Sequence, residues 1–358
     1  IGSTVGGGSG NTSIGYLSTI SGGYANISSC YFSTVSGGAN NTASNCYSTV
    51  SGGRQNATIG CYSFVGGGRL NTSSGQHSTI GGGRNNVSSG ECSVANGGEG
   101  NNAGGFHSFI GGGFQNVSGI NGYVTNVTGF VYTGGTFNST FTGVIPTSTA
   151  SGEGSNASFN FSFLGGVLQS VTIQSAGSGY VNGDTLYFNG SSFFSTSPLN
   201  DVWITIQSTS DSFTTVSGGL NNTASGYYST ISGGYNNEVI VPGATVGGGI
   251  FNTANDFLST ISGGYGNTAS EPISFIGAGV FNEAQGIGSV VVGGQCNTAS
   301  GCYSTIGGGG SSSGYSGHLA LGCFSTVSGG YRNKSSVNSS TVSGGRCNTS
   351  SGLASTVG

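Results

Sequence analysis

A single phrase returns along this chain every fifteen residues, and that period constrains the fold more than any other feature. Ser33 to Tyr47 reads STVSGGANNTASNCY, and Ser48 to Tyr62 reads STVSGGRQNATIGCY. With the leading Ser as position 0, copies begin at Ser3, Ser18, Ser33, Ser48, Ser63, Ser78, Ser93 and Ser108. Position 2 is aliphatic, as at Val35, Val50, Val65 and Ile80, and positions 4 and 5 are Gly-Gly. Position 8 is Asn, as at Asn41, Asn56, Asn71 and Asn86, and position 10 is small, as at Ala43 and Ser73. The period stops near Gly119 and restarts at Thr214, with Ile231, Ile261 and Ile306 at position 2 and Asn252 and Asn267 at position 8. One late copy is longer by six residues, around Gly310 to Gly322.

A short, strict period implies a solenoid whose coils stack so that each position lies over its own copy. Gly, Ser, Thr and Asn are poor helix formers, and no window spaces apolar residues at helical intervals. Polar, low-complexity composition can mean disorder, but a disordered linker needs no register. The expected fold is therefore all-β, a parallel β-solenoid (β-roll) of about 17 coils. Its blocks are residues 1–118 and 214–358, with a small β-rich domain inserted at 119–213. In each coil Ser-Thr-Val/Ile forms a short strand that turns positions 0 and 2 inward and the Thr outward. Gly-Gly makes a turn where φ must be positive or a Cβ would clash. One aliphatic residue per coil becomes a core only by stacking. The Asn amides satisfy one another along the axis, donor to acceptor. At about 4.8 Å per coil the rod is roughly 80 Å long if the blocks are coaxial.

The phrase S-T-V/I-S-G-G-x-x-N-T-A-S-G-x-Y, as in Thr214–Tyr228, resembles the head repeats of YadA-type trimeric adhesins, and related repeats in fibre proteins of phages and large viruses. The resemblance spans both repeat blocks and implies a left-handed parallel β-roll. This repeat is one residue longer than is usual in that family. Within the insertion, GSGYVNGD at Gly177–Asp184 is similar to small β modules of viral and phage fibres, and Val171–Gln174, Thr185–Phe188 and Val202–Ile206 read as strands.

Composition narrows the chemistry. Charged residues make up 4% of 358, with a formal net charge of −4, so there is no basic patch for nucleic acid. No run of about 18 apolar residues exists to span a membrane. The ten acidic residues are scattered without a paired spacing, and the Gly-rich strings lack any P-loop lysine or Rossmann context. No catalytic residue, cofactor or metal is expected, although His77 and His107 share position 14 two coils apart.

Eight cysteines form no CxxC pair. Cys46 and Cys61, and likewise Cys302 and Cys323, share position 13 on neighbouring coils, a separation that admits a disulfide. These are two expected bridges. Cys30, Cys92, Cys296 and Cys347 have no such partner and are free or link chains. Such usage fits an oxidising, extracellular setting. Arg54, Arg69 and Arg84 stack at position 6, so they lie in solvent or share an anion such as a sulfate or glycan carboxylate.

Sixteen Asn-x-Ser/Thr sequons occur. Those on ladder asparagines such as Asn71 are expected to be silent. Asn40 and Asn221, and within the insertion Asn126, Asn138, Asn156, Asn160 and Asn189, are the candidate glycan acceptors.

The function expected is that of a non-enzymatic subunit of an extracellular or surface fibre. The chain opens at Ile1 without a signal-like segment, as a processed fragment would, and ends inside a repeat at Gly358. Uncapped coils of that kind invite end-to-end pairing into a filament or other homo-oligomer, a trimer included. The alternative is an adhesin or viral receptor-binding fibre, touching glycan or a host-surface protein through Trp203, Tyr180 and Tyr187. A third reading is ice binding by the Thr column Thr4, Thr19, Thr34 and Thr49, which Phe64, Val94 and Phe109 interrupt.

Overall fold

A computed structural model describes residues 2–119, 213–311 and 317–358 throughout, and between them the strands at 124–132, 139–144, 148–149, 155–164, 167–178, 185–188 and 202–209. The repeats form a parallel β-solenoid. Positions 1 and 2 of every coil build one sheet of 18 two-residue strands, and positions 9 and 10 build a second sheet of 17. Each residue pairs with its own copy, for example Thr34 with Thr49, Val35 with Val50 and Thr42 with Ala57. Position 6 adds a third column of parallel bridges from Ser9 through Tyr24, Ala39, Arg54 and onward.

The core is as thin as one aliphatic side chain per coil requires. Ile20, Val35, Val50, Val65, Ile80, Ile231, Ile261 and Ile306 are fully buried, and so are position-10 residues such as Ala43 and Ala254. The Thr at position 1 is half-buried and faces away, because neighbouring residues of a strand point to opposite sides. Position 0 is buried as well. At several coils its hydroxyl is paired, as where Ser33 Oγ donates to the Cys30 carbonyl at 2.7 Å and meets Ser28 Oγ at 2.8 Å. The hydroxyls of Ser108, Ser229, Ser274, Ser304 and Ser325, by contrast, are buried with no hydrogen-bond partner.

The Asn at position 8 holds the coils together. Its Oδ1 accepts the backbone N–H of the next coil's Asn, as from Asn56 to Asn41 at 3.0 Å. Its Nδ2 donates to the position-4 carbonyl of its own coil and the position-5 carbonyl of the next. For Asn41 these are Gly37 and Gly53, both at 2.9 Å. The ladder is thus mainly side chain to backbone. Amide-to-amide contacts accompany it at some rungs, as between Asn252 and Asn237 at 3.2 Å. Position 5 must be Gly for the same reason of proximity: Gly38 has φ 87°, and a Cβ there would lie 2.1 Å from the Gly53 carbonyl oxygen.

The two blocks are one solenoid. Phe109 pairs with Thr215 and Val117 with Thr223, and the Asn222 N–H donates to Asn116 Oδ1 at 3.0 Å, so the register crosses the interruption unbroken. The chain divides into this solenoid (1–119 and 212–358) and a second unit (120–211). The latter contains an antiparallel sheet that pairs Tyr187 with Trp203 and Trp203 with Val131, and a three-stranded antiparallel sheet in which the middle strand, Ser155–Leu164, lies between the other two.

Two consequences are measurable. Asn252→Leu strands the Asn267 N–H and the Gly248 carbonyl, while the Gly264 carbonyl keeps only the Ile250 N–H. At about 1–3 kcal/mol for each unsatisfied buried group, a loss of about 2 kcal/mol or more is expected in denaturant titration, whereas the outward Thr253→Ser changes little. Gly119 sits at position 11 and Phe213 at position 14, so replacing residues 120–212 with the two residues Gly-Ser restores a fifteen-residue coil. The shortened chain is expected to melt cooperatively, at a temperature no lower than that of the full chain.

Candidate functional site

Stacking uses up the inward side chains, so any specific chemistry lies on the two sheet faces and the two turns. The first turn, at positions 3–7, carries the Arg ladder. Arg54, Arg69 and Arg84 occupy consecutive rungs of the position-6 column, and the next rung is Glu99, whose carboxylate meets Arg84 at 2.6 Å. This is the one ion pair among the described residues. It is exposed on both sides and contributes little to stability.

The same column changes character after Glu99. Phe114, Leu220, Tyr235, Ile250, Tyr265 and Val280 follow on successive coils, continuous across the interruption. Phe251 and Phe281 stand beside them at position 7, and ring contacts run Tyr235–Phe251–Tyr265–Phe281 with centroids 5.1 to 5.9 Å apart. Five of the six column residues and both phenylalanines are between 37% and 51% exposed. No charged residue occurs at position 6 or 7 between Phe114 and Cys296. An uncharged apolar strip of six coils, about 24 Å long, therefore faces solvent.

The opposite turn closes on position 14, which has positive φ in most coils although it is seldom Gly: Phe32 56°, Tyr47 57°, Tyr62 58°, His77 57°. A left-handed conformation costs an ordinary residue roughly 1–2 kcal/mol. Here each rung regains part of that. The N–H of Tyr62 donates to the Cys46 carbonyl of the preceding coil at 3.0 Å. The rings Phe32, Tyr47, Tyr62 and His77 stack with centroids 4.9–5.0 Å apart and interplanar angles of 3–11°, a contact worth roughly 0.5–1.5 kcal/mol per pair. Sequence reasoning assigned turn-making to Gly-Gly and missed this column. The recurrence of Tyr at position 14 is the signal that could have revealed it.

His77 and His107 are thus stacking residues, His107 against Phe213 at 5.0 Å. No group of three His, Cys, Asp or Glu side chains converges among the described residues. None of their helices is long and apolar enough to cross a membrane.

All eight cysteines are free thiols, and the expected Cys46–Cys61 and Cys302–Cys323 bridges are not formed. In-register parallel stacking explains this: it points neighbouring Cβ atoms the same way, about 4.8 Å apart, where a disulfide needs about 3.5–4.5 Å. Cys30 has no partner in register, as the sequence implies; a thiol hydrogen bond with Cys46, one position off on the next coil, and then burial push its pKa up. Burial and the Glu91 carboxylate do the same for Cys92. Both are held as thiols rather than nucleophilic thiolates.

Asn71 and the other ladder asparagines inside the stack are buried with their amides engaged, which closes their sequons to modification. Asn40 is exposed and Asn221 half-exposed, both with positive φ on the position-7 turn. Asn126, Asn156 and Asn160 lie on strands of the inserted unit, as do Tyr187 and Trp203. Tyr180, Asn138 and Asn189 fall outside the described residues. Thr19, Thr34 and Thr49 form a half-buried column one hydroxyl wide, since each strand has two residues and turns one outward. Scanned against protein-family models and against curated proteins, the chain matches none.

The position-14 column makes a distinctive prediction. Tyr62→Ala removes stacking on both sides yet keeps the left-handed cost, whereas Tyr62→Gly removes both. Ala is expected to destabilise by about 1–3 kcal/mol, and Gly to be more stable than Ala by about 1 kcal/mol, in urea titration.

Proposed function

We propose that this chain is a non-enzymatic structural subunit of an extracellular or surface fibre. The single observation that carries the reading is the unbroken register of the solenoid across the interruption, through Phe109–Thr215, Val117–Thr223 and the Asn116–Asn222 hydrogen bond. A continuous rod made of stacked backbone is a spacer and a load path. Its inward side chains are all committed to stacking, and its outward ones repeat rather than converge. Each coil presents both N–H groups and carbonyls on each of its two sides, as Phe64 donates to Ser78 on the next coil and Tyr62 to Cys46 on the preceding one. One coil is therefore complementary to another of the same kind, and end-to-end joining is heterologous and open.

Copies also associate side by side through the apolar strip from Phe114 to Val280. An exposed patch of this size on an otherwise polar protein marks an interaction surface, and the column's uncharged rungs suit a second copy of the same strip.

The second reading, an adhesin or viral receptor-binding fibre, is favoured by one feature: residues 120–211 form a separate unit that interrupts the rod without contributing a coil. A glycan array probed with the full chain and with the Gly-Ser replacement of 120–212 distinguishes the two. Signal lost with the insertion supports recognition there, and no signal from either leaves the fibre reading.

For the fibre itself, negative-stain electron microscopy across a concentration series is expected to show filaments or lateral bundles. The variant Tyr265→Lys, Phe281→Lys should keep the filament and lose the bundling. Discrete single rods at every concentration would contradict the proposal.

A further inference from the structure

The Asn ladder contains one substitution. In the coil lengthened to 21 residues, His318 occupies position 8, fully buried between Asn297 and Asn333. Its imidazole reproduces both of the carboxamide's bonds to the next coil, but not the one that Asn267 Nδ2 makes to the position-4 carbonyl of its own coil, Gly263. The His318 backbone N–H donates to Asn297 Oδ1 at 2.8 Å. Nδ1 accepts the Asn333 N–H at 3.0 Å, the role that Asn267 Oδ1 plays for Asn282 at 2.9 Å. Nε2 stands 3.1 Å from the Gly330 carbonyl, where Asn267 Nδ2 donates to Gly279 at 3.0 Å. A carbonyl at Nε2 and an N–H at Nδ1 fix one state: neutral, with the proton on Nε2.

An Asn cannot change these roles, but a His can. A proton arriving from solvent at Nδ1 turns the acceptor into a donor, facing the Asn333 N–H. The bond to the next coil is then lost, and a charge is left inside the stack. Nothing nearby offsets that charge. The titratable groups on the flanking coils are Cys296, Cys302 and Tyr303 on the preceding one and Tyr331, Arg332 and Lys334 on the next, while the coil itself adds Tyr315 and Cys323. No Asp or Glu occurs after Glu283. Burial accordingly lowers the ring's pKa from its ordinary 6.5, only partly countered by the bonds to Gly330 and Asn333.

We propose that His318 is a proton-operated latch, which holds the coil starting at Ser325 onto the preceding one at neutral pH and releases it on acidification. The sign follows from linkage. The unfolded imidazole binds a proton more readily than the folded one, so stability rises with pH between the two pKa values. The stabilisation is complete above about pH 6.5 and is lost as pH falls from there through the depressed folded value. The loss reaches about tenfold in the opening equilibrium for each unit of depression.

Amide hydrogen exchange resolved at Asn333 and, as reference, at Asn267 tests this directly between pH 7.5 and 5, after correction for intrinsic rates. The full chain is expected to lose protection at Asn333 by tenfold or more while Asn267 holds. His318→Asn, which restores the regular rung, should abolish the response, and His77→Asn should leave it intact. NMR titration of the His318 ring should give a midpoint below 6.5. An Asn333 response that is absent, or equally present in His318→Asn, or a ring midpoint at or above 6.5, overturns the proposal.

Discussion

The side-chain carboxamide of the ladder Asn does what the thin core cannot. In a globular domain, chain turns are held by burial of a broad apolar interior. Here each coil buries one Val or Ile and one small residue, too little to fix a backbone that turns twice in fifteen residues. Each inner Asn supplies one acceptor to the N–H of the next rung and two donors to the Gly carbonyls that frame the turn. That side chain thereby closes its own coil and fastens it to the next. The Gly at position 5 follows from this arrangement, since any Cβ there would strike the carbonyl of the coil above.

The geometry that makes the rod stiff also decides where function can sit. Translation by one coil maps every position onto itself, so outward side chains form columns rather than pockets. A column can be made cationic, as at Arg54–Arg69–Arg84, or apolar, as from Phe114 to Val280, or aromatic, as at Phe32–Tyr47–Tyr62. It gathers different chemistries at one point only where the period breaks. It does so twice, at residues 120–211 and in the lengthened coil that carries His318. The two breaks use opposite turns, and in both the coils on either side remain paired. Insertions are tolerated because they leave from turns and return to the same register.

Much of this was legible in the sequence because a strict period leaves one physical solution. The inward Val35 and Ile80, the outward Thr34, the Gly-Gly turn and the stacking of Asn41 on Asn56 all follow from it. What was not legible depends on three-dimensional detail. The second turn is built by residues such as Tyr62 in a left-handed conformation, which propensity argues against and neighbour stacking supports. Cys46 and Cys61 share a position, and that sharing keeps their Cβ atoms parallel instead of facing. Cys30 meets Cys46 from one position earlier, a diagonal that in-register counting overlooks. The gap between Asn297 and Asn333 concealed His318, because six extra residues moved the rung away from its expected number.

The claim beneath all of this is that one Asn ladder runs through both blocks. It is tested at a single bond, the Asn222 N–H to Asn116 Oδ1, the rung that bridges the interruption. Amide exchange at neutral pH should protect Asn222 as strongly as Asn252, deep in an uninterrupted run. Rapid exchange at Asn222 beside a protected Asn252 would mean two separate rods, and the account of a continuous fibre subunit would fail.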